Sequence, residues 1–151
     1  MTSIVKFMRF YLILLAIFTI GRWALSLSGV PYEKGHYVFS LVILNLVAAA
    51  HHAAFARAFL GWRIPRALAL GAALAVVTQV VILLSTVVSY AAGVETYFNH
   101  PTALNLPEAA ALGRAFGIRL FGLVVNTVLN VVAAALGWLL GGVLPARDAL
   151  A

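Results

Sequence analysis

The sequence predicts an all-α membrane protein, a four-transmembrane-helix bundle running up-down-up-down with both termini cytoplasmic. Three observations carry that expectation. Residues 10–30, 37–56, 67–94 and 120–146 are apolar stretches containing a single formal charge, Arg22, and each reaches the ~20 residues that a helix needs to cross a bilayer core of ~30 Å. Only 9% of the 151 residues are charged and 64% are hydrophobic, whereas water-soluble domains carry roughly 25% charged residues. With the N-terminus inside, the cytoplasmic segments hold Lys6, Arg9, Arg57, Arg63, Arg66 and Arg147 against Asp148. The outer segments hold Lys34, Arg114 and Arg119 against Glu33, Glu95 and Glu108, so the inner side carries the Lys/Arg excess. We expect one domain over 1–151, with helices at about 5–29, 36–60, 66–94 and 107–143, in a bacterial cytoplasmic membrane.

Each span has its own signals. Lys6 and Arg9 before Phe10–Gly21 have the pattern of a signal peptide, but the apolar run resumes after Arg22 through Val30, which fits an uncleaved first helix. Gly29-Val30-Pro31 ends that helix and Gly61-Trp62-Arg63-Ile64-Pro65 separates the second from the third, because proline cannot continue the hydrogen-bond ladder. His100-Pro101 argues against a helical path through the long outer loop. Asn105-Leu106-Pro107-Glu108 reads as a helix start, with a side-chain cap, Pro in the first turn and Glu at the positive dipole end. The fourth helix is therefore expected to begin outside the bilayer, with Gly113 and Gly117 as places to bend. Trp62 and Tyr11 suit the inner interface, and Trp23, Tyr32, Tyr37, Tyr97 and Phe98 the outer one. The strings Ile43–Ala50 and Val128–Ala135 are similar, as a parallel duplication or as coincidence between Ala/Val/Leu-rich helices.

Composition closes several routes. The chain has no Cys, which excludes disulfides, thiolate-bound zinc, iron–sulfur clusters and CxxCH haem attachment. The net charge of +6 is dispersed beside the spans as a topology signal, without the basic, aromatic-interleaved surface of a nucleic-acid binder. No nucleic acid is expected as a partner. There is no nucleophile elbow, His-Glu-x-x-His, phosphate loop or pair of intramembrane aspartates, so a non-catalytic role is favoured and a membrane enzyme using the outer Glu/His cluster is the last of the readings left open.

What remains is polar chemistry inside apolar spans. Ala133, Gly137 and Gly141 recur every fourth residue, and Gly71 and Ala75 repeat the spacing; such stripes let helices approach within a chain or between subunits. Asn45 and His52 share a face of the second helix, Gln79, Thr86 and Tyr90 one of the third, and Arg119, Asn126 and Asn130 one of the fourth. Amides left unsatisfied in hydrocarbon cost several kcal/mol, so this seam should turn inward, for interhelical hydrogen bonds or for a ligand or permeation path. Arg22 is the most expensive residue to place. Glu95, with Glu33 as second choice, is its expected partner, and Arg22, Glu95 and Arg119 should cluster toward the outer side.

The site residues expected to bind a ligand are thus Arg22, Glu95, Arg119, Asn45, His52, Gln79, Asn126 and Asn130. His36, His100 and Glu33 are weak metal candidates beside the bland reading of a solvated loop. His51 and His52 diverge by ~100° on their helix, and no other span supplies a histidine, so a haem would need a ligand from a partner or a second copy. The leading functional reading is a non-catalytic membrane protein that acts as a homo-oligomer or complex subunit. Its outward-facing polar groove would take an anionic lipid or a small anionic ligand. The alternatives are a haem- or quinone-associated redox subunit using His51 or His52 with Gln79 or Asn45, and a small channel or transporter following the amide seam.

Overall fold

A computed structural model describes residues 4–143 of the chain. Arg147 and Asp148, counted above among the inner charges, lie outside the described residues. The only regular structure among the described residues is helical, with no strand: α1 (Ile4–Phe7), α2 (Arg9–Leu27), α3 (Tyr32–Gly35), α4 (Leu41–Leu60), α5 (Ile64–Ala91) and α6 (Leu112–Gly141), with a 3-10 turn at Pro101–Leu104. Four of them, α2, α4, α5 and α6 at 19, 20, 28 and 30 residues, are long and apolar enough to cross a membrane. Their surface is inverted relative to a water-soluble bundle. Ile13, Val47, Leu84 and Leu136 are more than half exposed, while Asn45, Thr78, Gln79 and Asn130 are at most 4% exposed. Lipid rather than water satisfies that arrangement, since hydrocarbon cannot hydrogen-bond an outward-facing amide.

Two helix starts differ from the sequence expectation. The second long helix begins at Leu41 and not near 36. Pro31 opens the one-turn α3, and Phe39 then adopts a left-handed conformation (φ 53°) that interrupts the path. A phenylalanine rarely adopts this conformation. Its ring is accommodated because Gly21 has no side chain, an added Cβ there falling 2.7 Å from Phe39 Cδ2. The ring also meets Phe18 edge-on, with centroids 5.5 Å apart. Ser40 then caps α4, its hydroxyl accepting from the Ile43 N–H. The fourth long helix begins at Leu112 and not at 107. Asn105, expected as its cap, instead closes the preceding 3-10 turn in a left-handed conformation (φ 53°, ψ 43°), which Asn tolerates better than most residues. The stretch after it is tied down where Tyr90 Oη donates to the Ala110 carbonyl at 2.7 Å.

The other ends follow their signals. Gly61 is left-handed (φ 63°) and the Trp62 N–H returns to the Ala56 carbonyl at 3.0 Å, the glycine-terminated helix end that its sequence signals. Pro65 sits in the first turn of α5, where its missing N–H costs nothing.

Small residues set the packing. A Cβ on Gly137 would overlap the backbone of Ala50, one on Gly141 the backbone of Ala54, and one on Gly71 would lie 2.7 Å from the Asn130 carbonyl oxygen. Thus α4, α5 and α6 meet backbone to backbone, and the small-residue stripes are used within the chain. Arg57 locks the same end, its guanidinium 3.8 Å over the Trp138 ring and donating to the Trp138 carbonyl at 3.0 Å. Trp138 Nε1 in turn donates to the Trp62 carbonyl at 2.7 Å. α2 stands further off and reaches the others through long side chains. Tyr11, expected at the membrane interface, is instead fully buried. Its hydroxyl meets Asn45 Oδ1 at 3.1 Å and the Thr78 hydroxyl, partners that the bilayer boundary would not supply at that depth.

The 92–111 segment is fastened to the start of α3 through Tyr97. Its hydroxyl donates to the carbonyls of Val30 (2.7 Å) and Pro31 (3.2 Å), and its N–H donates to Ser26 Oγ at 3.0 Å. Burial raises the pKa of this hydroxyl above its usual 10.0, against the opposing pull of the Arg22 charge.

Two predictions follow from this packing. Gly137→Val forces a branched side chain into the backbone of α4 and should lower unfolding free energy by ~3 kcal/mol, the upper end of the usual overpacking range, as read by denaturation in mixed micelles. Gly113→Val, with nothing within 4 Å of its Cβ, should cost far less. Tyr97→Phe should cost ~1 kcal/mol at pH 8 through the lost hydrogen bonds. Because the native state holds the Tyr97 proton more tightly than the unfolded chain, that contribution is complete below pH 10.0 and fades as pH rises through the elevated value. The stability gap between parent and variant should therefore narrow above pH 10.0 in a denaturation series.

Candidate functional site

The site lies at the end of the bundle that carries the 92–111 segment, called the distal end here. Arg22 comes from the last turns of α2 and Arg119 from the second turn of α6. Both are partly buried and both line one cavity of about 250 Å³ together with Tyr32, His36, Tyr37 and Ser40. Arg22 Nη1 donates to the His36 carbonyl at 3.1 Å, and its guanidinium lies 5.3 Å from the Tyr97 ring centroid and 5.7 Å from that of Phe98. Arg119 donates from Nε to Thr86 Oγ1 (3.2 Å), from Nη2 to the Phe98 carbonyl (2.5 Å) and from Nη1 to the Ala103 carbonyl (3.4 Å). Every one of these acceptors is neutral.

The expected Arg22–Glu95 contact is not made. Gly93, left-handed at φ 63°, turns the chain away after α5. Glu95 then points outward, 73% exposed, with its carboxylate 3.7 Å from His100 Nε2. Phe98 takes the place intended for Glu95, offering its ring to Arg22 and its carbonyl to Arg119. Glu33 is exposed as well. The cavity therefore contains two guanidinium charges and no carboxylate.

A second cavity of about 370 Å³ continues from the first. It shares Val42, Ile82, Ala103 and Arg119 with it, and adds Gln79, Asn126, Phe121, Gly122, Val125 and Leu129. A Cβ on Gly122 would stand 3.9 Å from Asn126 Nδ2 and 4.0 Å from Gln79 Oε1, so both amides flank an open place on α6. Asn126 Nδ2 spends one hydrogen on the Gly122 carbonyl at 2.8 Å.

The predicted polar seam is thereby divided. Arg119, Gln79 and Asn126 come together at the distal cavities. Asn45 is taken up by Tyr11. Asn130 is fully buried, donates to the Asn126 carbonyl at 2.8 Å and leaves Oδ1 without a partner among the described residues. His52 lies apart, with Nδ1 2.9 Å from the Ala48 carbonyl. With His51, Phe7, Phe10 and Phe55 it lines a separate, largely apolar cavity of about 340 Å³.

The loop histidines are engaged in ring stacking. Tyr32 is nearly parallel to both His36 and His100, at centroid distances of 5.3 and 4.5 Å. No group of three His, Asp or Glu side chains converges among the described residues, so Glu33, His36 and His100 do not assemble a metal site there.

Sequence reasoning found the two arginines but missed most of their surroundings. Ser40 ahead of an apolar run is a recognisable cap signal, and it brings the first turn of α4 (Ser40 to Ile43) into the cavity wall. The N–H groups and the positive dipole end of that 20-residue helix favour an anion. The carbonyls of Phe98, Ala103 and His36 leave no trace in sequence, because any residue type supplies one. No known family matches this chain, and neither curated proteins nor solved structures show a significant match to it.

Proposed function

We propose that the protein is a non-catalytic, four-pass component of a bacterial cytoplasmic membrane that binds a phosphate-type oxyanion, as a lipid headgroup or a free anion, between Arg22 and Arg119. One observation carries this reading: two guanidinium groups share a cavity in which all of their acceptors are neutral oxygens. Charged groups within spans are expensive and are normally paired. A carbonyl accepts a hydrogen bond but leaves the charge uncompensated, and an oxyanion would supply that charge with bidentate geometry. The start of α4 adds its own positive potential from a third side.

The alternating path and cytoplasmic termini belong to the same reading. Phe7 meets His52 and Phe18 meets Phe39, contacts that suit neighbours of opposite direction. Lys6, Arg9, Arg57, Arg63 and Arg66 then fall on the cytoplasmic side and the anion cavity on the other. With no reactive constellation of its own, the chain would act through what it binds, as a homo-oligomer or a subunit of a larger membrane complex.

A redox-associated subunit is the second reading, and the cavity beside His51 and His52 speaks for it. With Nδ1 held at a carbonyl, His52 keeps Nε2 for a ring-bearing ligand. A permeation path has less support, since Asn45 and Asn130 are sealed in the interior.

The anion reading predicts that the full chain, reconstituted in phosphatidylcholine nanodiscs doped with phosphatidylglycerol, enriches the anionic lipid around itself or is protected from heat by inorganic phosphate. Arg22→Gln/Arg119→Gln should abolish either effect; an unchanged effect in the double variant overturns the reading. Orientation has an independent check in this Cys-free chain. Glu108→Cys should react with a membrane-impermeant maleimide in intact cells and Arg63→Cys only after lysis, and the opposite pattern reverses the assignment.

A further inference from the structure

We infer that the anion is the headgroup of a membrane lipid whose acyl chain lies in the cleft between α4 and α6, along Phe121, Gly122, Val125 and Leu129. This inference rests on the anion reading and names its ligand class.

The cleft arises from the way the helices pack. At one end α6 touches the backbone of α4 at Ala50 and Ala54, where a Cβ on Gly137 or Gly141 has no room. Continuing the same stagger toward the distal end places Val42 beside Leu129, and both line the cleft. Gly122 falls beyond the first turn of α4, and the nearest atoms to its Cβ position are the amides of Asn126 and Gln79 at 3.9 and 4.0 Å. The two helices are thus joined at one end and leave a gap at the other.

The gap has the polarity of a lipid. Arg119 belongs to the walls of both cavities, so a ligand that touches its guanidinium has the cleft directly beneath it. From Arg119 to Leu129 the helix advances ~15 Å at 1.5 Å per residue, about half of the ~30 Å hydrocarbon core and therefore one leaflet. Phe121 is 71% exposed and Leu129 46% exposed, so the cleft is open sideways to the bilayer. A chain can enter there without passing through water, whereas a free anion would gain nothing from these residues. Gln79 and the second hydrogen of Asn126 Nδ2 lie level with Gly122, about one turn below Arg119, within reach of the ester groups of a glycerolipid whose headgroup meets that arginine.

The test uses the full-length chain in neutral maltoside micelles, with retained lipid read by native mass spectrometry from equimolar phosphatidylglycerol and phosphatidylcholine. Glycerol 3-phosphate serves as a competitor with the charge but no chain. The parent should retain phosphatidylglycerol preferentially, and glycerol 3-phosphate at the same concentration should not displace it. Gly122→Leu fills the cleft, and Val125→Trp does so from the next turn should the first variant fail to fold. Each should lower retention about tenfold or more, equivalent to the loss of roughly two buried methylenes. Gly113→Leu, on the same helix but outside the cleft, should not. If the cleft variants retain phosphatidylglycerol while Arg22→Gln/Arg119→Gln loses it, the chain assignment fails and the anion site survives. Displacement by glycerol 3-phosphate at equal concentration identifies a free anion as the ligand and overturns the lipid. Undiminished preference in the double arginine variant removes the anion site and the lipid assignment together.

Discussion

The contact between α6 and the backbones of α4 and α5 governs the rest of this structure. At Gly71, Gly137 and Gly141 no side chain separates the helices, and in lipid such close approach replaces the hydrophobic force that assembles bundles in water. Packing that tight at one end fixes the relative positions of three helices over their whole length. α4 starts only at Leu41, while α6 extends well past it toward the distal end. The cavities therefore follow from where a capped helix begins, at Ser40, and not from any irregularity in the long helices. Arg57 and Trp138 brace the closed end, and among the described residues no comparable contact joins α4 to α6 at the open one.

Charge placement follows a second constraint, the absence of solvent to compensate it. Arg119 is held by one hydroxyl and two main-chain carbonyls, and Arg22 by a carbonyl and two aromatic rings. These contacts satisfy N–H groups and orient the guanidinium planes, but they do not neutralise the groups. A carboxylate at Phe98 would have produced a closed ion pair of structural value only, at a desolvation cost comparable to its Coulombic gain. Neutral acceptors leave a preorganised positive cavity whose shape is set by the loop, and Tyr97 anchors that loop to α3.

Much of the fold was legible in the sequence, because span length and exclusion of charge are collective properties of twenty residues at a time. The helix ends at Gly29, Gly61 and Pro65 were legible for a related reason, since their chemistry is local. Asn105 and Tyr11 were not. The same Asn-x-Pro-Glu string can open a helix or, with Asn left-handed, close the turn before it, and only the packing of Tyr90 against Ala110 decides. Tyr11 resembles an interfacial aromatic until Asn45 and Thr78 are seen beside it. The arginines could be singled out from sequence because buried charge is rare. Their true partners could not, being main-chain carbonyls brought in by the path of 92–104.

The unequal lengths of the long helices have a consequence for the 92–111 segment. At 1.5 Å per residue, the 19 residues of α2 reach ~28 Å and the 30 of α6 reach ~45 Å, against a hydrocarbon slab of ~30 Å. The surplus of α6 is its charged start, which holds Arg114 and Arg119; the stretch from Leu120 to Gly141 alone reaches ~33 Å and matches the slab. Those extra turns carry Arg119 up to the 92–111 segment, whose carbonyls at Phe98 and Ala103 it meets.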